Sequence, residues 1–283
     1  MRQGCRCRPG AGSAVRTTIR ESDDERSSKD NVDSERAELM RFAAISDVHG
    51  NCFALEAVLR DIAAQGIAEI VNLGDHLSGP LEPSRTADLL IERGFPSVRG
   101  DQDRILVELW QAGASSRGDF QQLERRHFDW MATMRPTLVY RDEVYLCHAA
   151  PKDDAAFWLD YPATDGGMRP SPIEAIEAGA VGIEASLILC GHTHIPRVVR
   201  LRDGRMIVNP GSVGLPGYEA QTPAPYKVEV GTPDACYAIL DRTRAGWSTS
   251  IRYVPYDTST VAEMARSKGM RVWANALATG WAE

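Results

Sequence analysis

Apolar residues along this chain gather in short runs that break abruptly into polar ones. "RFAAIS" (41–46) reads as a buried strand and runs straight into Asp47, His49, Gly50 and Asn51. In "NCFALEAVLRDIAAQG" Leu55, Val58, Leu59 and Ile62 recur at helical spacing, with Asn51 placed to cap the start and Gly66 the end. "AEIVNLGD" predicts a second strand ending at Gly74-Asp75, and "PSRTADLLIERG" a second helix with Pro83 near its start and Gly94 at its end. "FPSVRGD" predicts a third short strand ending at Asp101. Residues 103–133 read as two helices, with Asp119 and Gln122 as a capping box for the second. Strands alternating with helices predict parallel pairing in an α/β sheet.

After Pro136 the period changes. "TLVY" and "VYLCHA" around "RDE" predict a hairpin, and so do "PRVVRL" and "RMIVNPG" around "RDG". Residues 151–180 are rich in Pro, Gly and Asp and read as a long excursion with a short helix. "SLILCGHTHIP" is another apolar strand that breaks into polar residues. "ACYAILD" and "SIRYVPY" are two more strands, and residues 258–278 predict one terminal helix capped by Asp257 or Thr258.

Composition narrows the class. The 283 residues are 43% hydrophobic and 25% charged, as in ordinary globular proteins, and the net charge of -7 gives no bulk surface for nucleic acid. No apolar run is long enough for a membrane span. The six cysteines follow no paired pattern, and Cys52, Cys147 and Cys190 sit in or beside apolar segments, which points to a reducing compartment and a cytoplasmic protein. Cys5 and Cys7 lack nearby partners for a metal. The first twenty residues hold five Arg and no acid, and the next twenty hold eight acids against three Lys or Arg. With so few apolar residues, 1–39 is expected to be a disordered tail, or no part of the native protein given Met40 directly before "RFAAIS", and 40–283 a single domain.

The chemistry lies in the breaks. Apolar strands end at Asp47-Val48-His49, Gly74-Asp75, Gly100-Asp101, His148 and Gly191-His192-Thr193-His194. Four of the six histidines fall at such ends. Each alone reads equally as a surface residue hydrogen-bonded to backbone. Strand ends form the ligand rim of an α/β sheet, however, and residues two apart on an extended segment point the same way. Asp47 and His49 are therefore expected to face one centre, and His192 and His194 likewise. Together the four His and three Asp form a metal-ligand set. His127 reads as a helix-surface residue and His76 as a neighbour supporting the set. No G-x-x-x-x-G-K-[ST] and no H-E-x-x-H occurs, so neither a P-loop nor a zincin fits.

"SDVHGN", "NLGD", "RGDQD", "CHAAPKDD", "GHTH" and "NPGS", spread over roughly residues 40–253, resemble the calcineurin-like metallophosphoesterases, in particular their small bacterial and archaeal phosphodiesterase branch. The resemblance implies a four-layer α/β/β/α sandwich, two mixed sheets flanked by helices. It implies two divalent metal ions, one held by Asp47, His49 and His194, the other by Asp101, His148 and His192, with Asp75 bridging. His192, Asp75 and Asp101 become the catalytic candidates. The implied reaction is hydrolysis of a phosphate ester by a hydroxide shared between the metals. Mixed imidazole and carboxylate donors suit Mn, with Fe, Zn or Ni as alternatives.

The chain departs from the family at two adjacent positions. Asp101 stands where relatives usually carry Asn, and Gln102 where many carry a proton-donating His. A phosphodiesterase with good leaving groups is therefore the leading expectation. A phosphomonoesterase or protein Ser/Thr phosphatase is a second reading, and a catalytically silent metal-binding scaffold a third. The expected partner is a small phosphorylated substrate, nucleotide-like if aromatics near the site meet a base. Gln102, Arg104, Lys152 and Asn209 are the candidates for contact with it. Arg99, Trp158, Tyr161 and Ser212 are further ones; the arginines read equally as surface residues, the aromatics as packing for the excursion, and Asn209 with Ser212 as part of an Asn-Pro-Gly turn.

Overall fold

A computed structural model of the chain describes residues 40–113, 122–222 and 224–283, with Met1 and Gly4 as isolated positions. The expected tail and Asp119 lie outside the described residues.

The first strand sets the layering. β1 (Arg41–Ile45) is buried from Phe42 onward and alternates between two environments. Ala43 and Ile45 pack with Leu55, Val58 and Ile62 of α1 (Cys52–Ala64). Phe42 and Ala44 face the other way, into a core shared with a second sheet. This is the period of two expected for a strand covered on both faces. Asn51 caps α1 by accepting from the Ala54 N–H, as its side-chain type predicts.

The first sheet has the order β13-β12-β1-β2, built from β2 (Ile70–Asn72), β12 (Ala235–Thr243) and β13 (Gly246–Val254) around β1. β1 runs parallel to β2 and antiparallel to β12. The second sheet has the order β3-β4-β7-β9-β8. Its members are β3 (Thr137–Tyr140), β4 (Val144–Cys147), β7 (Leu187–Leu189), β8 (Arg197–Arg200) and β9 (Met206–Asn209). Both expected hairpins form, and β4, β7 and β9 are mutually parallel.

Between the sheets Phe42, Ala44 and Val71 meet Val144, Leu146, Leu187, Leu189, Met206 and Val208. Fully burying each large side chain contributes about 1.5–3 kcal/mol. Phe42 also packs edge-on against Trp247 and Tyr140. On the outer face of the second sheet, Ile188 and Ile207 pack with Ile176 of α5 (Ile173–Gly179) and with Trp158. Helix, sheet, sheet and helix thus make the four-layer α/β/β/α sandwich. Further helices α2 (Pro83–Arg93), α3 (Asp101–Gln111) and α4 (Arg125–Ala132) share a core of Leu77, Ala87, Leu106, Phe128 and Met131.

Several expectations need correction. "FPSVRGD" forms only the isolated bridges Asn72↔Ser97 and Val98↔Arg135, because the segment must turn at once into α3. α4 starts at Arg125 with Glu124 as its N-cap, so Gln122 lies before the helix and not in its first turn. His127 is buried, accepting from the Glu124 N–H and meeting Asp88. The terminal helix is two: α6 (Thr258–Ser267), capped by Asp257, and α7 (Arg271–Thr279), broken at Gly269 with φ +75°. Two small hairpins carry no strong sequence signal: β5 (Asp160–Pro162) with β6 (Met168–Pro170), and β10 (Gly217–Ala220) with β11 (Tyr226–Glu229).

Candidate metal centre

The parallel strands β1, β2, β4 and β7 all release their chain at one edge of the sandwich. Asp47 and His49 follow β1, Asp75 follows β2, His148 follows β4, and His192 and His194 follow β7. Asp101 opens α3 beside them. The backbone there is not extended. Asp47, His49, Asp75, His192 and His194 all have φ between 49° and 70°. Side chains of alternate residues therefore do not point alike for the reason expected. A left-handed turn at each residue aims its side chain instead, and His192 and His194 go to different groups. Such backbone costs about 1 kcal/mol or more per residue, and it clusters at functional sites.

Two sets of donor atoms result. In one, Nε2 of His49 and Nε2 of His194 are 3.1 Å apart, and Asp47 Oδ1 is 3.4 Å from His194 Nε2. In the other, Asp101 Oδ1 is 3.2 Å from His148 Nε2 and 3.2 Å from His192 Nδ1. Asp75 lies between them. Its Oδ1 is 3.5 Å from His148 Nε2 and its Oδ2 is 3.8 Å from His49 Nε2.

Hydrogen bonds behind the rings fix what these atoms are. A carbonyl only accepts, so the ring nitrogen facing it must carry the proton. His148 Nδ1 donates to the Leu73 carbonyl at 2.7 Å and His194 Nδ1 to that of Leu215 at 2.6 Å. His49 Nδ1 meets the Ser78 carbonyl at 2.9 Å. All three Nε2 atoms are thereby left as lone-pair donors facing inward, the second-layer arrangement that orients metal-binding imidazoles. Two lone pairs held 3.1 Å apart, as in His49 and His194, repel unless a cation lies between them. Asp47 Oδ1, Asp101 Oδ1 and His148 Nε2 are buried without any hydrogen-bond partner. Ligands about 2.0–2.2 Å from one tetrahedral cation lie about 3.2–3.6 Å from each other, so these residues fit divalent metal ions.

The charges agree. Burial pushes the Asp47 carboxyl up, but the imidazoles of His194, His148 and His49 outweigh it and hold it below the usual range. Asp101 is held low in the same way by His148 and His192, against burial. Asp75 goes the other way, raised by burial and by the Asp101 charge. Burial lowers His148, yet Asp75, Asp101 and Asp47 raise it well above its ordinary value. The pull that would put a proton on His148 Nε2 is the pull a cation answers.

Close backbone approach makes this packing feasible. A Cβ on Gly100 would land on the Asp75 carboxylate, and one on Gly191 would fall 2.7 Å from Asp47 Oδ2. Asp103 ties the loops together, accepting from the N–H groups of Asp75 (3.0 Å), His76 (2.9 Å) and Gly100 (2.9 Å). His76 Nδ1 meets the same carboxylate at 2.7 Å, which gives His76 the supporting place expected of it.

The centre opens into a cavity of about 910 Å³ lined by His49, Asp75, Asp101, His192 and His194 among others. Gln102 lines it too, while its Nε2 donates to Asp101 Oδ2 at 2.7 Å. Three other expected substrate contacts are placed elsewhere. Arg104 does not line the cavity. It forms a two-pronged pair with Asp154, Nε to Oδ2 at 2.9 Å and Nη2 to Oδ1 at 3.0 Å. Lys152 is exposed beside a second hollow of about 400 Å³, which His148 also lines from its other side. Asn209 is buried and already bonded to Gly191, Thr193 and Gly211, so it braces the "GHTH" loop. Ser212 likewise donates to the Asp47 carbonyl. Trp158 is buried with its N–H on the Ile176 carbonyl, and Tyr161 is exposed away from the cavity.

The aromatic lining comes from residues the sequence reading missed: Tyr218, Tyr226 and Trp273. Tyr218 packs on His194 at 4.7 Å between ring centres, and Trp273 on His49 at 6.0 Å. Nothing local in the sequence flags them, because they reach the centre through a weak hairpin and a terminal helix.

Known proteins place this arrangement. Among the described residues no helix is long and apolar enough to cross a membrane. A metallophosphoesterase from Sphaerobacter thermophilus shares the fold, with a TM-score of 0.66 at 24% identity, covering 85% of this chain and 100% of that one. The uncharacterized protein MJ0912 of Methanocaldococcus jannaschii is 26% identical over 203 residues, 62% of this chain and 76% of its own length. The family model of the calcineurin-like phosphoesterase superfamily domain matches residues 40–231, more than half the chain. The chain belongs to the calcineurin-like phosphoesterase superfamily.

Proposed function

We propose that the protein is a metal-dependent phosphodiesterase with a two-cation centre. The observation that carries this is the set of three imidazoles locked by backbone carbonyls so that their lone pairs face two shared points. Asp47, His49 and His194 would hold one cation and Asp101, His148 and His192 the other, with Asp75 reaching both. Bound there, divalent cations, manganese first and Fe, Zn or Ni as alternatives, would acidify water and neutralise phosphoryl charge.

The chain's own residues do the rest. The Gln102 N–H donates to Asp75 Oδ1 at 3.0 Å and holds the shared carboxylate in place. The Gln102 side chain holds Asp101, and Asp103 holds both loops. Apart from imidazoles, Lys268 is the one cationic side chain among the residues lining the cavity. With Glu219 also on its wall, the cavity adds little positive charge beyond the cations, which favours a singly charged diester over a doubly charged monoester. Gln102 supplies no proton to a departing alkoxide, which also favours esters with good leaving groups. The buried free thiols of Cys52, Cys147, Cys190 and Cys236 support a cytoplasmic setting.

Hydrolysis of bis-p-nitrophenyl phosphate against p-nitrophenyl phosphate, with added manganese and beside His148→Ala, tests the reading. The diester should be cleaved faster and the variant should be inert. Faster cleavage of the monoester would favour a phosphomonoesterase or protein phosphatase. An inert wild type with metal bound would leave a silent scaffold.

A further inference from the structure

The cavity is far larger than a phosphate needs and lies at the upper end of ligand-pocket sizes. Its walls are aromatic in an ordered way. From His194 the rings run to Tyr218 (4.7 Å) and Tyr226 (6.0 Å) on the wall, then behind it to Phe157 (5.4 Å) and back to His192 (5.6 Å). This arc joins the two ligand sets along one side. On the other side Trp273 stands edge-on to His49 at 6.0 Å. Trp273 also lies over Gly79, where an added Cβ would fall 2.7 Å from its ring.

Trp273 belongs to α7, outside residues 40–231 that match the family model. α7 is held in place by packing on α6: Ala274 and Leu277 meet Val261, Ala262, Ala265 and Leu81. Lys268, in the turn between the helices, donates to the Leu81 carbonyl at 3.2 Å, so its charge is partly spent on the backbone. No guanidinium lines the cavity among the described residues, which leaves no two-pronged clamp for a second phosphate.

We propose that the cavity selects phosphodiesters with one phosphate whose retained arm, the one opposite the leaving group, is flat and aromatic or heteroaromatic, a nucleoside arm being the natural size, and that Tyr218 and Trp273 determine this specificity. The arm lies between the Tyr218–Tyr226 side and Trp273, while the phosphate sits at the Asp and His floor. This selection rests on the phosphodiesterase reading above. Ring stacking of this kind is worth about tenfold or more in binding per base.

The test uses two diesters that share p-nitrophenol as leaving group and differ in the other arm: thymidine 5′-phosphate p-nitrophenyl ester and methyl p-nitrophenyl phosphate. Wild type is expected to prefer the thymidine ester by at least tenfold in kcat/KM, mainly through KM. In Trp273→Ala and in Tyr218→Leu that ratio should fall to about threefold or less, and Trp273→Phe should keep most of it. Binding of thymidine 5′-monophosphate, followed by calorimetry, should weaken in parallel. Equal use of both esters by wild type, or a ratio unmoved in the variants, overturns the selection and leaves the phosphodiesterase reading standing. Inertness toward both esters overturns the two together. If Trp273→Ala fails to fold, Tyr218→Leu, on a separate hairpin, decides.

Discussion

Gln102 Nε2 donates to Asp101 Oδ2 at 2.7 Å, so the two positions that the sequence reading takes as departures from the family's pattern are bonded to each other. Asp101 brings two carboxylate oxygens, and Gln102 brings an amide next door. The bond occupies Oδ2 and leaves Oδ1 facing His148 and His192.

Removing that amide should loosen the centre without emptying it. Gln102→Ala is expected to lower metal affinity about ten- to hundredfold, the usual effect of losing a group that orients a ligand. Gln102→Glu, which sets like charge against Asp101, should weaken it further. Titration of metal-free protein with manganese, followed by calorimetry, checks both.

Asp103 gives a second, sharper expectation. Its buried carboxylate accepts three backbone N–H groups from both ligand loops. Asp103→Ala orphans all three and should cost about 2–4 kcal/mol of stability. Thermal unfolding measures it. A drop under about 1 kcal/mol would contradict the bracing role.

Metal removal should itself destabilise the fold. The facing lone pairs of His49 and His194, and the unpartnered oxygens of Asp47 and Asp101, are unfavourable without cations. Chelator should therefore lower Tm, and added manganese should raise it in a concentration-dependent way. A Tm indifferent to both would argue against metal binding here.

Acid stability tests a pair far from the centre. Arg252 holds Asp61 through two bonds, Nε to Oδ2 at 2.7 Å and Nη2 to Oδ1 at 2.9 Å, and Tyr237 donates to Oδ2 at 2.6 Å. Arg252 first, then Tyr237, hold the Asp61 carboxyl below its usual value of 3.8. A depressed carboxyl contributes stability that is present above its unfolded pKa and is lost as pH falls through the lowered folded value. Because the pair is partly open to solvent, about 1 kcal/mol is at stake. Asp61→Asn should lose it at pH 7 and show a flatter acid limb in denaturant titrations below pH 4.

Much of this was legible in the residues. Period-two burial in "RFAAIS", the Asn51 cap and the two Asp-bearing hairpin turns each have a local cause, and each formed as expected. The convergence of the seven Asp and His was legible because their types are unusual directly after apolar runs, although the run before Asp101 forms only isolated bridges. What stayed hidden depends on distance along the chain. Arg104 reads as a phosphate ligand until Asp154, fifty positions on, is seen to hold it. Asn209 and Ser212 look available until the "GHTH" loop and Asp47 claim them. Trp273 becomes part of the cavity only because Gly269 breaks a helix that periodicity alone would continue.

The left-handed backbone at five of the seven centre residues also governs which amino acids those positions tolerate. Glycine aside, Asn and Asp adopt that backbone with least penalty, and a β-branched side chain resists it. At His49 or His194, an Asn replacement should therefore remove the imidazole and keep the loop, whereas Val should drag the loop out of shape. Loss of function at such a position then has two separable origins, one chemical and one of chain geometry. Comparing the two replacements at a single site tells them apart.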